Sequence, residues 1–293
     1  MRGIALALIV AVSFAANSVF AALAYVGGSN AISILIVRSS TAFVVLYFIL
    51  NLGSTSRSLP IRQRNVALGL GFVMAISSYG LLAAMECMPV ALCVVTLYTY
   101  PMLVATSGWI SGLEVFRMRS AVALVAAFIG LVLALDLPGA VPNLVGIALA
   151  STAAIGVATL LIVSERERPE GDSRPFTLHI LGTCMAVSVI ASVSFGEFAL
   201  PHTPAGWIGF IAAPLCYTFA IIFLFVVLMQ IGSLKTALVM NLEPVASVIL
   251  GFLILAQTLN PMQLLGVACV VTAVISTKGL NLSTAGKPSA SLE

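Results

Sequence analysis

The sequence predicts an all-α membrane protein of ten transmembrane helices, with both termini in the cytoplasm and two inverted five-helix repeats. Three observations predict it. Of the 293 residues, 61% are hydrophobic and only 8% are charged, whereas soluble domains carry about 25% charged residues. Apolar stretches of about 20 residues, the length a helix needs to cross the hydrocarbon core, recur along the whole chain. The basic residues fall in alternate connections. This composition, with a mean hydropathy of +1.16, excludes a water-exposed globule, a nucleic-acid-binding protein and a disordered chain.

The ten segments are 3–26, 30–50, 65–86, 90–111, 119–136, 142–164, 176–198, 206–230, 233–256 and 260–280, separated by Gly, Pro, Asn or charge clusters. Each is a continuous apolar run, unlike the short alternating strands of a barrel. Helices also satisfy their own backbone hydrogen bonds in lipid. The first segment is long, lacks a clear cleavage site and precedes nine others, so it reads as a retained helix rather than a signal peptide. The longest polar stretches, Gly53–Asn65 and Glu165–Pro175, are too short for an extramembrane domain. The repeats are expected at 1–136 and 137–282, followed by a disordered cytoplasmic tail at 283–293.

Orientation follows from Lys and Arg. With the N-terminus inside, the inside segments hold Arg2, Arg57, Arg62, Arg64, Arg117, Arg119, Arg166, Arg168, Arg174, Lys235, Lys278 and Lys287, all of the 13 basic residues except Arg38. The outside loops hold only Glu86, Asp136, Glu197 and His202 among ionisable groups. A miscounted span would spoil this sorting.

Sliding the chain along itself by 143 positions sets Tyr98-Thr99-Tyr100-Pro101 against Asn241-Leu242-Glu243-Pro244, and Glu114 against Gln257. Five helices per half is an odd number, so the second half enters the membrane from the opposite side. Inverted repeats recur in secondary transporters, with the substrate site near the midplane where the halves meet. Pro101 lies 12 residues beyond Pro89, and Pro244 lies 12 beyond Gly232, roughly 18 Å into each helix at 1.5 Å per residue. Mid-helix prolines remove a backbone hydrogen bond and bend the helix, so both are candidate hinges. The alternative is ordinary helix packing.

With these residues in view, the chain resembles the drug/metabolite transporter superfamily, in its ten-helix EamA-like branch. Ser13-Phe14-Ala15-Ala16-Asn17-Ser18 stands where that family has a Trp-Gly-Ser-Asn-like stretch, and only the Asn region matches. Arg38-Ser39-Ser40-Thr41-Ala42 looks like its Arg-containing segment, and Asn241-Leu242-Glu243-Pro244 like its Glu-Pro element. The resemblance implies alternating-access export of small metabolites. YddG-type exporters of aromatic and other neutral amino acids are the favoured subgroup, given the aromatic content of the expected cavity.

Ionisable groups inside a membrane are costly and face protein or water. Arg38 reads either as a bidentate ligand for a substrate carboxylate or as an interhelical tether, and the resemblance favours the tether. Glu243 could bind a substrate ammonium, take up a proton, bond the backbone freed by Pro244, or pair with Arg38. The candidate substrate-binding set is neutral: Asn17, Ser78, Tyr79, Tyr98, Tyr100, Tyr217 and Asn241, with Ser77 beside them. Tyrosine offers an apolar face and a hydroxyl, which suits a zwitterion. Lipid or core packing is the alternative for each tyrosine.

The remaining features read as structural. Trp109 and Trp207 lie near span ends as interfacial anchors. His179 and His202 lie in different regions without acids or Cys at ligand spacing, so no metal site is expected. The odd cysteine, absent a C-x-x-C, argues against redox work. The charge run from Glu165 to Arg174 reads as a solvated linker. Without a phosphate-binding loop, ATP is not the energy source, and no cofactor is implied. A membrane-embedded enzyme would need an acid/base pair, and Glu243 has no evident partner. The expected function is therefore a bacterial inner-membrane secondary transporter, not an enzyme, exporting neutral and aromatic amino acids. Nucleosides, sugars and lipophilic cations are the alternative cargoes. Its partners are the small-molecule substrate and the bilayer, not nucleic acid, with a monomer the simplest assembly.

Overall fold

The computed structural model describes residues 2–52, 59–112, 117–135, 141–167, 172–195, 198–255 and 260–277. Helices make up 88% of them, and there is no strand among them. The predicted tail, the Glu114–Gln257 match, and Arg57, Asp136, Arg168, Glu197, Lys278 and Lys287 lie outside the described residues. The helices are α1 Arg2–Val26, α2 Ala31–Leu52, α3 Ile61–Cys87, α4 Val90–Leu97, α5 Tyr100–Ile110, α6 Met118–Ala134, α7 Leu144–Arg166, α8 Arg174–Phe195, α9 Pro204–Ile231, α10 Ser233–Met240, α11 Leu242–Leu255 and α12 Pro261–Thr277.

Each of the ten predicted segments falls on a helix or, in two cases, on a pair of helices in series. Among the described residues, eight spans are long and apolar enough to cross a membrane, with α4–α5 and α10–α11 each counted as one. The other two segments are shorter apolar helices: α6 and α12 have 17 residues each. Large apolar side chains such as Ile9, Phe48, Phe72, Ile190 and Leu253 point outward, an arrangement suited to lipid and not to water. Many hydroxyls are satisfied within their own helices, for example Ser13 Oγ donating to Ile9 O at 2.8 Å and Thr152 Oγ1 to Ala148 O at 2.9 Å. This back-bonding removes a polar group from the hydrocarbon.

Packing partners come in matched sets. α1 runs antiparallel to α9, with Gly3 beside Ile231 at one end and Gly27 beside Gly206 at the other. α3 pairs the same way with α7, from Gly146 against Met88 to Gly156 against Ser77. α2 packs on α8 and α9, α3 packs on α8, and α6 packs on α12. At the α6–α12 crossing, a Cβ on Gly130 would lie 2.9 Å from Gly266 O, so the close approach requires glycine there. Exchanging α1–α6 for α7–α12 in order leaves the main partnerships unchanged.

The two interrupted spans break at equivalent places. α4 ends at Leu97 and α10 at Met240, each four residues before a proline. Proline has no N–H for the carbonyl four residues back, and its ring crowds that carbonyl. Local side chains take over part of the lost bonding. Thr99 Oγ1 donates to Thr96 O at 2.7 Å, and Asn241 Nδ2 donates to the carbonyls of Ala237 and Leu238, both at 3.2 Å.

Candidate functional site

The breaks flank a cavity of about 240 Å³ lined by α1, α2, α3, α4, α5, α7, α9, α10 and α11. This is smaller than the roughly 300–1,000 Å³ of drug-sized sites. It brings together Asn17, Arg38, Ser78, Tyr98, Tyr100, Tyr217 and Glu243 of the predicted set, and Ser77 beside them. Pro101 and Pro244 do not line it but are buried next to residues that do.

Two predicted residues are placed elsewhere. Tyr79 is 64% exposed on the outer surface of α3; one residue on from Ser78 is a turn of about 100°, enough to move a side chain from cavity to lipid. Asn241 is buried, and its amide is engaged by the two carbonyls of its own broken helix.

The charged pair sits at the centre. Arg38 and Glu243 line the same cavity, yet no ion pair joins them; the described ion pairs are Arg62–Glu167 and Arg174–Asp172, both 2.6 Å. The Arg38 guanidinium carbon lies 4.7 Å from the centroid of the Tyr217 ring, a cation–π arrangement. Phe14 meets the same ring edge-on at 6.1 Å. Arg38 Nε is buried without a hydrogen-bond acceptor, and Asn17 Oδ1 is buried without a donor. Tyr98 lines the same wall as Glu243 and packs against Tyr100, centroids 5.6 Å apart. Ser18 and Ser77 donate to Phe14 O and Val73 O, leaving oxygen lone pairs as acceptors. The site thus offers one fixed cation, one acid, three phenols and several neutral acceptors.

Its wall repeats at a spacing of 143. The pairs Phe14/Val157, Asn17/Leu160, Ser18/Leu161, Met74/Tyr217, Ser78/Ile221, Leu81/Leu224, Leu97/Met240 and Tyr100/Glu243 all line it. The apolar members were not singled out from the sequence, because leucine and isoleucine carry no contrast in a membrane protein. Applying the 143-residue offset to the polar candidates would have located Leu160 and Ile221. Gly156 was missed as well; any Cβ there would collide with Ser77 Oγ.

The cavity is closed toward one end, where α5 packs against α10; no comparable packing joins their counterparts α11 and α4 among the described residues. At the closed end Gly232 adopts φ +82°, a conformation that favours glycine. It turns the chain so that Ser233 N donates to Glu165 Oε2 at 2.8 Å. A carboxylate at a helix N-terminus satisfies an orphan N–H and the helix dipole. Glu165 is therefore a contact between α7 and α10, not part of a solvated linker.

Comparison with known proteins agrees with this architecture. Residues 144–277, from the start of α7 to the end of α12, match the model of the EamA-like transporter family. That family consists of membrane transporters of the drug/metabolite type. No curated protein sequence matches the chain. A crystal structure of a protein 17% identical in sequence superposes with a TM-score of 0.72, covering 92% of this chain and 98% of its own. At that identity the likeness is one of fold.

Proposed function

We propose that the protein is a ten-span secondary transporter of small zwitterionic metabolites, foremost neutral and aromatic amino acids, exported across a bacterial inner membrane by alternating access. The observation that carries the proposal is the unbridged Arg38 and Glu243 in one small cavity lined by aromatic rings. A zwitterion brings a carboxylate for the guanidinium and an ammonium for the acid, and leaves the site's net charge unchanged. A lone cation would have to enter beside Arg38 without a matching anion. The roles left open at the level of sequence are thereby assigned: Arg38 binds the carboxylate and Glu243 the ammonium, with Tyr98, Tyr100, Tyr217, Asn17 and Ser78 around them.

In this reading α6 and α12 also cross the bilayer, giving two five-span repeats. The matched packing partners, the breaks 143 residues apart, and a family match that covers five of the ten segments support the repeat. The distribution of Lys and Arg supports cytoplasmic termini, which makes the closed α5–α10 end the cytoplasmic one. Bending at Pro101 and Pro244 would then close α4 on α11 while parting α5 from α10.

The test is counterflow in proteoliposomes with Phe, Trp, Tyr, Met, Leu, Thr, a nucleoside and a lipophilic cation, with and without a pH gradient. Saturable counterflow of neutral amino acids is expected. Movement of the cation alone would transfer Glu243 to a cation site and end the amino-acid reading.

A further inference from the structure

Resting on the zwitterion reading, the structure assigns the cavity a fixed polarity along the membrane normal, and with it an orientation and a side-chain class for the substrate. Near mid-span the paired residues Phe14 and Val157, and Met74 and Tyr217, all line the site. From there the paired helices run in opposite directions. Asn17 and Ser18 lie three and four residues beyond Phe14, roughly 5–6 Å toward the α4–α11 end at 1.5 Å per residue. Leu160 and Leu161 lie equally far beyond Val157, toward the closed α5–α10 end. The same step takes Met74 to Ser78 in one direction and Tyr217 to Ile221 in the other.

One backbone arrangement therefore presents Asn17, Ser18 and Ser78 beside Leu81 at one end, and only Leu160, Leu161, Ile221 and Leu224 at the other. The buried, unsatisfied Asn17 Oδ1 lies at the polar end, where an ammonium or hydroxyl of a ligand would satisfy it. The apolar end offers a side chain nothing to bond and only surface to bury. The substrate is thus an α-amino acid whose head group points toward the α4–α11 end and whose hydrocarbon side chain points into a subsite formed by Leu160, Leu161, Ile221 and Leu224. Branched and linear aliphatic side chains gain from this subsite, and hydroxylated ones of equal size do not.

The experiment measures binding, by thermal stabilisation of the purified full-length protein, across glycine, 2-aminobutyrate, norvaline and norleucine. These ligands share one head group and differ only in methylenes. Wild-type affinity should rise by up to about fourfold per buried methylene. Leu161→Ser and Ile221→Ser each install the residue found at the equivalent place in the other half; each should flatten that gradient. Retained glycine binding shows that the variant is folded. The converse variants Asn17→Leu and Ser78→Ile should weaken all four ligands equally and keep the gradient. Binding of all four ligands with no gradient in the wild type, or a gradient that survives both serine variants, overturns the polarity and leaves the zwitterion reading standing. Failure of every ligand to bind wild type overturns both.

Discussion

Beyond Phe14, α1 turns Asn17 and Ser18 into the cavity; beyond Val157, the same stretch of α7 turns in Leu160 and Leu161. The contrast holds around the wall. Tyr100 stands opposite Glu243 in the matched register, and the position matched to Arg38 is Leu181, fully buried. The backbone plan is common to both regions, and the chemistry is not. In the proposed transport cycle, a symmetric plan would let the open and closed ends exchange by mirrored bends of comparable cost. Unequal side chains would then fix how one substrate lies in a site that the fold alone would leave two-faced.

The charged residues provide the severest test of that contrast. Arg38→Gln and Glu243→Gln should each weaken amino-acid binding by about 10- to 100-fold, as removal of a charge-assisted hydrogen bond worth about 1.5–3 kcal/mol requires. Competition binding in detergent would check this. A variant that binds like wild type would place its residue among the tethers.

Next come the breaks, the feature the two regions share. Pro101→Ala and Pro244→Ala each restore an N–H to a helix whose proline costs up to about 3 kcal/mol. Both should raise Tm by several degrees and slow counterflow about tenfold, by equal amounts if the two hinges are equivalent. Unequal slowing would show that one hinge dominates.

A smaller effect is expected at the closed end. Position 22, matched to Glu165 at an offset of 143, is alanine, so α4, the counterpart of α10, gains no acidic cap from that position. Glu165→Ala removes a cap worth about 1 kcal/mol and should shift the balance toward opening at the α5–α10 end about fivefold. Alkylation of a Met240→Cys reporter in a cysteine-depleted background would measure it; unchanged labelling would separate the cap from gating. At the low end of the scale, Tyr79→Phe should leave counterflow within twofold, since its ring faces away from the cavity.

Much of this was legible in the sequence for a simple reason. A membrane helix advertises its length, its proline and its charges against an apolar background, so the segments, Pro101, Pro244, Arg38 and Glu243 could be read directly. Side-chain direction could not. Ser78 and Tyr79 are neighbours in the chain, yet only the serine enters the site. Asn241 has the residue type of a ligand, but its amide donates to the carbonyls of Ala237 and Leu238 in its own helix. Glu165 sits in a charge run typical of solvated linkers, and only the turn at Gly232 brings the N-terminus of α10 to its carboxylate.

In the proposed ten-span arrangement, the length of α6 also matters to the surrounding lipid. Its 17 residues span about 25 Å at 1.5 Å per residue, against a hydrocarbon core of about 30 Å. On this flank the hydrophobic mismatch is roughly 5 Å, and acyl chains beside it must compress to cover the helix ends, at a fraction of a kcal/mol per ångström. The α9 side carries no such strain, with 28 residues in its helix. The protein therefore meets its bilayer as a wedge, thin along one flank. In thicker membranes the elastic penalty would concentrate on α6, which packs against α4 and α11 of the two interrupted spans.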